Sequence, residues 1–176
     1  PAELLSAMRK IHQYTIMSYF SASNTGANWG GKYAQTPMVY DILAIQQMYG
    51  ADYTTRAGDT IYGFNSNAGN SLYNFSQNTS PILTIWDGNG IDTIDLSGWS
   101  SASTLNLTAG SYSNVNGMTK NLAIAYDVDI ENATGGSGND VITGNDLANV
   151  LIGNGGNDTI NGAGGNDTIN GGTGGD

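Results

Sequence analysis

A nine-residue period runs from Gly135 to the end of the sequence. It constrains the fold more tightly than any other feature of the chain. Frames span Gly135–Thr143, Gly144–Ile152, Gly153–Asn161 and Gly162–Asn170, and Gly171–Asp176 opens another. The sixth place holds Asp140, Asn149, Asp158, Asp167 and Asp176, while the eighth holds Ile142, Leu151, Ile160 and Ile169. A flexible Gly/Asn linker has no reason to keep an acid and an aliphatic residue in register, so its composition alone does not describe this segment. The glycine-rich part of each frame can turn, because glycine tolerates positive φ. The three residues that follow alternate, and the aliphatic one can face inward from a short strand. Two such halves close a coil of about eighteen residues, stacking Asp140, Asp158 and Asp176 on one edge and Asn149 and Asp167 on the other. Strands in a sheet lie ~4.8 Å apart, so stacked carboxylates require a cation between them.

This is the pattern of the calcium-binding nonapeptides of parallel β-helices. Its donor chemistry agrees, since Ca²⁺ takes about six to eight oxygens from carboxylates and carbonyls. The second frame is degenerate, with Asp146 and Leu147 at its third and fourth places. Charge is divided along the same line. Residues 1–86 carry Glu3, Asp41, Asp52 and Asp59 against Arg9, Lys10, Lys32 and Arg56, whereas residues 87–176 hold the other eleven of 15 acids and a single base, Lys120. The net charge of −10 therefore sits in the second half, which argues for cations and against nucleic acid or anionic membrane surfaces as partners. Without metal that half should repel itself. Cysteine is absent, so calcium takes the stapling role that disulfides fill in many secreted proteins. Neither a signal peptide nor a transmembrane run is present, and the sequence is expected to be a piece of a longer protein.

Upstream, Ala2 to Ile11 has helical spacing through Leu4, Leu5, Met8 and Ile11. A second helix is expected over 37–49, capped by Thr36, opened by Pro37 and closed by Gly50. Its face of Met38, Ile42, Ile45 and Tyr49 is expected to pack into a core. Strands are expected at Thr60–Phe64, Ile82–Trp86, Asp92–Leu96, Thr104–Leu107 and Leu122–Tyr126. They read as a β-sandwich that merges into the roll near residue 130. Trp86–Leu96 looks like one isolated nonapeptide, with Asp87 and Asp92 as cation ligands and Arg56, Gly58 and Thr60 as carbonyl donors from a neighbouring loop.

The front half points to a family. Tyr14-Thr15-Ile16-Met17-Ser18-Tyr19 resembles the Met-turn of serralysin-type zinc metalloproteases, a family of secreted bacterial metzincins. Asp41 to Ala51 resembles the helix after that turn, Gly58 to Asn67 the entry to the family's β-domain, and Ile130-Glu131-Asn132-Ala133 its lead into the roll. The resemblance implies a mainly β fold: a short helical remnant of a metzincin catalytic domain over 1–55, then a calcium-binding β-sandwich and right-handed parallel β-roll over 56–176. It implies that Met17 forms the base beneath a catalytic zinc and that Tyr19 is the tyrosine that reaches it. One calcium would be held by Arg56, Gly58, Thr60, Asp87, Asn89, Gly90 and Asp92. Others would be held by Asp129, Glu131, Gly136, Gly138, Asp140, Asn145, Asn149, Asn154, Gly156, Asp158, Gly165 and Asp167. Asn89 and Asp129 depart from the family's usual glycine and threonine, and Leu147 and Ala163 interrupt glycine-rich places. The implied partners are the N-terminal part of the protease domain, a peptide or protein substrate of the whole enzyme and a type I secretion machinery, with an extracellular location and no membrane insertion.

A zinc protease of this kind needs His-Glu-x-x-His and a third histidine. The only histidine is His12, and no such motif surrounds it. The chain itself is therefore expected to be inactive and not to bind zinc tightly. It is read as the calcium-binding, export-aiding part of a zinc endopeptidase. The alternative is a non-enzymatic calcium module of a surface adhesin or toxin.

Overall fold

The computed structural model describes residues 12–18 and 21–176. The helix expected at Ala2–Ile11 and the side chain of Tyr19 lie outside the described residues. The fold is mainly β, with one α-helix among the described residues, α1 (Val39–Tyr49). The strands are β1 (Ile61–Gly63), β2 (Leu83–Ile85), β3 (Thr93–Asp95), β4 (Thr104–Asn106), β5 (Tyr112–Ser113), β6 (Leu122–Ile124), β7 (Asn132–Thr134), β8 (Val141–Thr143), β9 (Val150–Ile152), β10 (Thr159–Asn161) and β11 (Thr168–Asn170).

Successive frames send their strands to alternate sheets. The long sheet is five-stranded in the order β1-β3-β7-β9-β11, all parallel. A three-stranded parallel sheet, β10-β8-β4, takes the other frames. A third sheet orders β2-β6-β5, with β5 antiparallel to β6. The long sheet passes residue 130, where the sandwich was expected to merge into the roll, without a break and continues in register from Ile61 to Asn170. The physical reason is that β1 and β3 already carry a buried central residue, Tyr62 and Ile94, as β8 and β9 carry Ile142 and Leu151. Such a strand pairs in parallel across a crossover without needing the full glycine pattern.

The eighth-place side chains stack into columns. Tyr62, Ile94, Ala133 and Leu151 lie opposite one another along the long sheet, and Leu105 and Ile142 along the short one. All six are buried in one core cluster, together with Leu83, Ile85, Leu122 and Ile124 from the third sheet. Ile169, the last member of the long column, is half exposed because no further strand covers it.

The N-terminal segment packs on the third sheet. Thr84 N–H donates to Thr36 Oγ1 at 2.8 Å, and Met38 is buried beside Ile82. Thr36 is thus spent on β2 and does not cap α1. Met38 occupies that position, and its N–H donates to Asp41 Oδ2 at 2.8 Å. Gly50 ends the helix as expected, its N–H returning to Gln46 O at 2.8 Å. The expected core-facing stripe is only half buried. Met38 and Ile42 pack inward, whereas Ile45 and Tyr49 are 56% and 78% exposed, because the roll reaches only the first turns of the helix.

Coil-to-coil approach explains the glycine at the fourth place of the third frame. Gly156 has φ +115°, and a Cβ there would lie 2.4 Å from Gly138 O. Gly117, at φ +73°, has nothing within 4 Å. Gly117→Ala should therefore cost about 1–2 kcal/mol of conformational strain, and Gly156→Ala that strain plus about 1–3 kcal/mol of overpacking. Denaturant unfolding of the two variants should separate them by that margin.

Candidate cation sites along the two turn ladders

The sixth-place side chains do not merely stack. Except for Asn149, each accepts the backbone N–H of the residue at the matching place one coil earlier. On one edge Asp140 N–H donates to Asp158 Oδ1 at 2.8 Å, and Asp158 N–H donates to Asp176 Oδ1 at 2.9 Å. Ser103 heads this ladder, its N–H donating to Asp140 Oδ1 at 2.7 Å. On the other edge Thr60 N–H donates to Asp92 Oδ1 at 2.8 Å, and Asp92 N–H to Glu131 Oε2 at 2.7 Å. Asn149 bridges back through Nδ2 to Glu131 O at 2.8 Å, and its N–H donates to Asp167 Oδ1 at 3.0 Å. Bonds from N–H to carboxylate are charge-assisted and rank among the stronger ones a turn can make.

The isolated nonapeptide folds against the loop before β1, as its sequence implied. A Cβ on Gly90 would lie 2.7 Å from the carbonyl carbon of Gly58, so the two turns are in backbone contact. Thr60 Oγ1 donates to Gly58 O at 2.8 Å, and Asn89 N–H to Asp87 Oδ1 at 3.2 Å. Arg56 adopts φ +50° and turns its guanidinium inward. It donates to Tyr62 Oη at 2.8 Å and to Trp86 O, lies 3.9 Å from Asp87 Oδ2 and sits 5.1 Å from the Tyr73 ring centroid. The Tyr62 hydroxyl donates to Asp87. Asp87, Asn89, Gly90, Asp92, Asp129 and Glu131 line one recess of about 160 Å³. Tyr53 and Asp127 line it too. Those two carry no repeat register and were not legible as site residues.

In the repeat proper, Gly136 N–H donates to Asp140 Oδ2 at 2.7 Å and Asn145 N–H to Asn149 Oδ1 at 2.9 Å. The third and fourth frames turn differently. Asn154 and Ala163 take φ +72° and +68°, so neither N–H points back to its own sixth-place acid. Asp158 Oδ2 is consequently buried with no hydrogen-bond partner. Gly138, Gly156 and Gly165 are cradles where an added Cβ would strike the backbone of the coil below. Asp129 also lines a second recess of about 270 Å³ with Asn145 and Asp146, beside the degenerate frame.

Electrostatics bear most heavily where the acids meet. Burial, reinforced by the charges of Asp87 and Glu131, pushes Asp92 up to about 7 despite the N–H of Thr60. Burial also raises Glu131, with Asp129 and Asp87 adding to it. Asp140 is raised by burial and by Asp158 against the pull of two backbone N–H groups. Among the described residues, no three acidic, histidine or cysteine side chains converge as a self-sufficient metal site. A cation here would draw on one or two carboxylates together with carbonyl and amide oxygens. Hard, oxygen-only donors of this kind fit a hard divalent ion.

A family model described as Peptidase M10 serralysin C terminal matches residues 51–172. The chain belongs to the serralysin C-terminal family. It is 53% identical over 141 residues to Metalloprotease AprA of Pseudomonas entomophila, covering 77% of this chain and 29% of that protein. Serralysin of Photorhabdus luminescens is 50% identical over 137 residues, with 77% and 28% covered. For Serralysin C of Dickeya chrysanthemi the values are 47% over 132 residues, 74% and 28%. The chain thus spans under a third of the length of these curated serralysin relatives. Among its described residues no helix is long and apolar enough to cross a membrane.

Within this serralysin C-terminal fold, Asp92, Glu131 and Asp140 each bind a proton more tightly folded than unfolded. Between the ordinary carboxylate range and about 7, the folded chain therefore holds more protons than the unfolded one. Stability without metal then falls as pH rises through that window. Urea midpoints in the presence of a chelator should be higher at pH 5 than at pH 7.5, and a midpoint that climbs with pH would contradict the raised acids.

Proposed function

We propose that this chain is the calcium-binding C-terminal region of a secreted zinc metalloendopeptidase, with 1–55 the end of the protease domain and 56–176 a calcium-stabilised roll. The observation that carries the calcium reading is the buried, partnerless Asp158 Oδ2, set on a ladder of acids that accept backbone N–H donors. Supporting it is the acidic recess at Asp87, Asp92 and Glu131, where desolvation already holds one carboxyl near neutrality. A divalent ion between coils would replace those protons and draw on the same oxygens. The residues implied by the family, from Arg56 to Asp92 and from Asp129 to Asp167, are the ligand set we propose. Folding around calcium outside the cell fits a cysteine-free, strongly acidic domain and an export-aiding role by a type I route.

The protease half of the proposal rests on the names of the relatives and on an apolar face. Met17 is 79% exposed on its turn, and Ile45, Met48, Tyr49 and Tyr53 are half exposed or more. Beside them lies a mostly apolar cavity of about 440 Å³, lined by Ile16, Met17, Ile42, Ile45 and Trp86 among others. A face of this kind on a chain spanning under a third of its relatives' length fits the N-terminal part of the protease domain as its cover. The residues present do not suit zinc on their own. His12, the only histidine, packs edge-on to Tyr33 at 6.4 Å between ring centroids. The chain by itself should not cleave peptides. Met17 and Tyr19 would serve the zinc only within the whole enzyme.

Calcium at about a hundred times its dissociation constant should stabilise the fold by about 2.7 kcal/mol. Thermal melting with and without a chelator reads this directly, and an unchanged melting temperature would remove the calcium reading. Asp158→Ala should lose more of that stabilisation than Asp146→Ala, since Asp158 joins two coils and Asp146 lies beside the ladder. Peptidase assays on the isolated chain should show no chelator-sensitive cleavage.

A further inference from the structure

The turn that presents Met17 is held from one side by a residue with no place in either ladder. Asp41 is the third residue of α1. Its Oδ1 accepts the Thr15 hydroxyl, and its Oδ2 accepts Ile16 N–H at 2.9 Å and Met38 N–H at 2.8 Å. Thr15 Oγ1 in turn accepts Met17 N–H at 3.2 Å. Beside this cluster Tyr40 N–H donates to Tyr14 O at 2.9 Å, so the segment before the turn is also tied to the first turn of α1. Ile16 and Met17 are 48% and 79% exposed, so little packing of their own holds them. Backbone bonds therefore decide where the turn sits. A carboxylate also belongs at this point, because the N-terminus of a helix carries partial positive charge.

We infer that Asp41 is the positioning residue of the Met17 turn, fixing the turn to α1 through both of its carboxylate oxygens. Its relevance to catalysis rests on the protease reading above; the positioning itself does not. An ordinary helix cap would serve Met38 N–H alone and leave Ile16 to solvent. Here one oxygen is shared between the two amides, while the other takes the hydroxyl that supports Met17. Removing the carboxylate should free both segments, whereas an amide in its place keeps one oxygen for the two N–H groups and offers its NH₂ to the Thr15 hydroxyl, which can accept.

Amide hydrogen exchange followed by NMR on the calcium-loaded chain separates the possibilities. Asp41→Ala should speed exchange at Ile16 and Met17 by about tenfold or more, the expected effect of losing a hydrogen bond to a charged group. Exchange at Ile142 and Ile160 in the short sheet should not change. Asp41→Asn should restore most of the protection, and Thr15→Val should expose Met17 while leaving Ile16 protected. Unchanged exchange at Ile16 in Asp41→Ala, with faster exchange confined to α1, would reduce Asp41 to a cap and overturn the inference. If Asp41→Ala does not fold, Thr15→Val decides, and unaltered Met17 exchange overturns it. These readouts involve no catalysis, so a failure of the protease reading would leave them untouched. That reading is tested separately, by peptidase assay of the full-length protein.

Discussion

One bond repeated along both edges organises this molecule: a side-chain oxygen at the end of one turn accepts a backbone N–H from the coil before it. A glycine-rich turn leaves several N–H groups without partners in its own coil, and buried donors without partners are expensive. The sixth-place acid satisfies one of them and fixes the distance between coils. Once that distance is fixed, the three-residue strands can pair and the aliphatic columns can close. The same bond brings carboxylates together at strand spacing with only neutral dipoles beside them. The requirement that stabilises the turn thus creates an electrostatic problem for the whole half of the chain, which a hard cation would relieve.

Each coil touches chiefly its neighbours, so the roll is close to one-dimensional. Such a stack needs a start and an end. Thr60 and Ser103 begin the two ladders with a neutral residue that donates its N–H and places no further carboxylate against the next coil. The third sheet and the loop over 21–35 then cover the flank of the first coils. Trp29 Nε1 donates to Lys120 O at 3.0 Å, and Lys120 Nζ reaches Thr25 O at 2.6 Å. Lys120, the only base of the acidic half, is thus engaged with the N-terminal segment.

Legibility followed periodicity. The stacking of Asp140 on Asp158 and of Asn149 on Asp167 was readable because a fixed spacing converts directly into register. Five of the six strands within 60–126 were located to within a residue or two at each end, whereas the two-residue β5 was missed, and parallel pairing was not readable, since a three-residue strand carries no sign of its partner's direction. β7 was readable only as a lead into the roll, because Asn132-Ala133-Thr134 has a weak apolar residue at its centre. The Thr36 cap was misread for a similar reason: a threonine before a Pro suits a helix start, but the demand of Thr84 N–H is invisible without the fold. Tyr53 and Asp127 reach the acidic recess through loop geometry alone. For Asp41 the signal was present as an acid in the first turn of a helix, but its second partner lies 25 residues upstream, and nothing local announces it.

The spacing of the rungs has a consequence for how such a chain can change length. Within the repeat the rungs are 18 residues apart, while near the start they are 32, 37 and 39 apart. The longer intervals house the excursions that build the third sheet and its loops, so rungs tolerate free insertion between them when the extra chain can leave and return. Inside the repeat there is no such exit. Removing nine residues would carry every later strand to the opposite sheet and pair each acid with the wrong edge, whereas removing eighteen would restore both ladders. The repetitive half is therefore editable only in whole coils, and its apparent simplicity conceals a strict unit of growth.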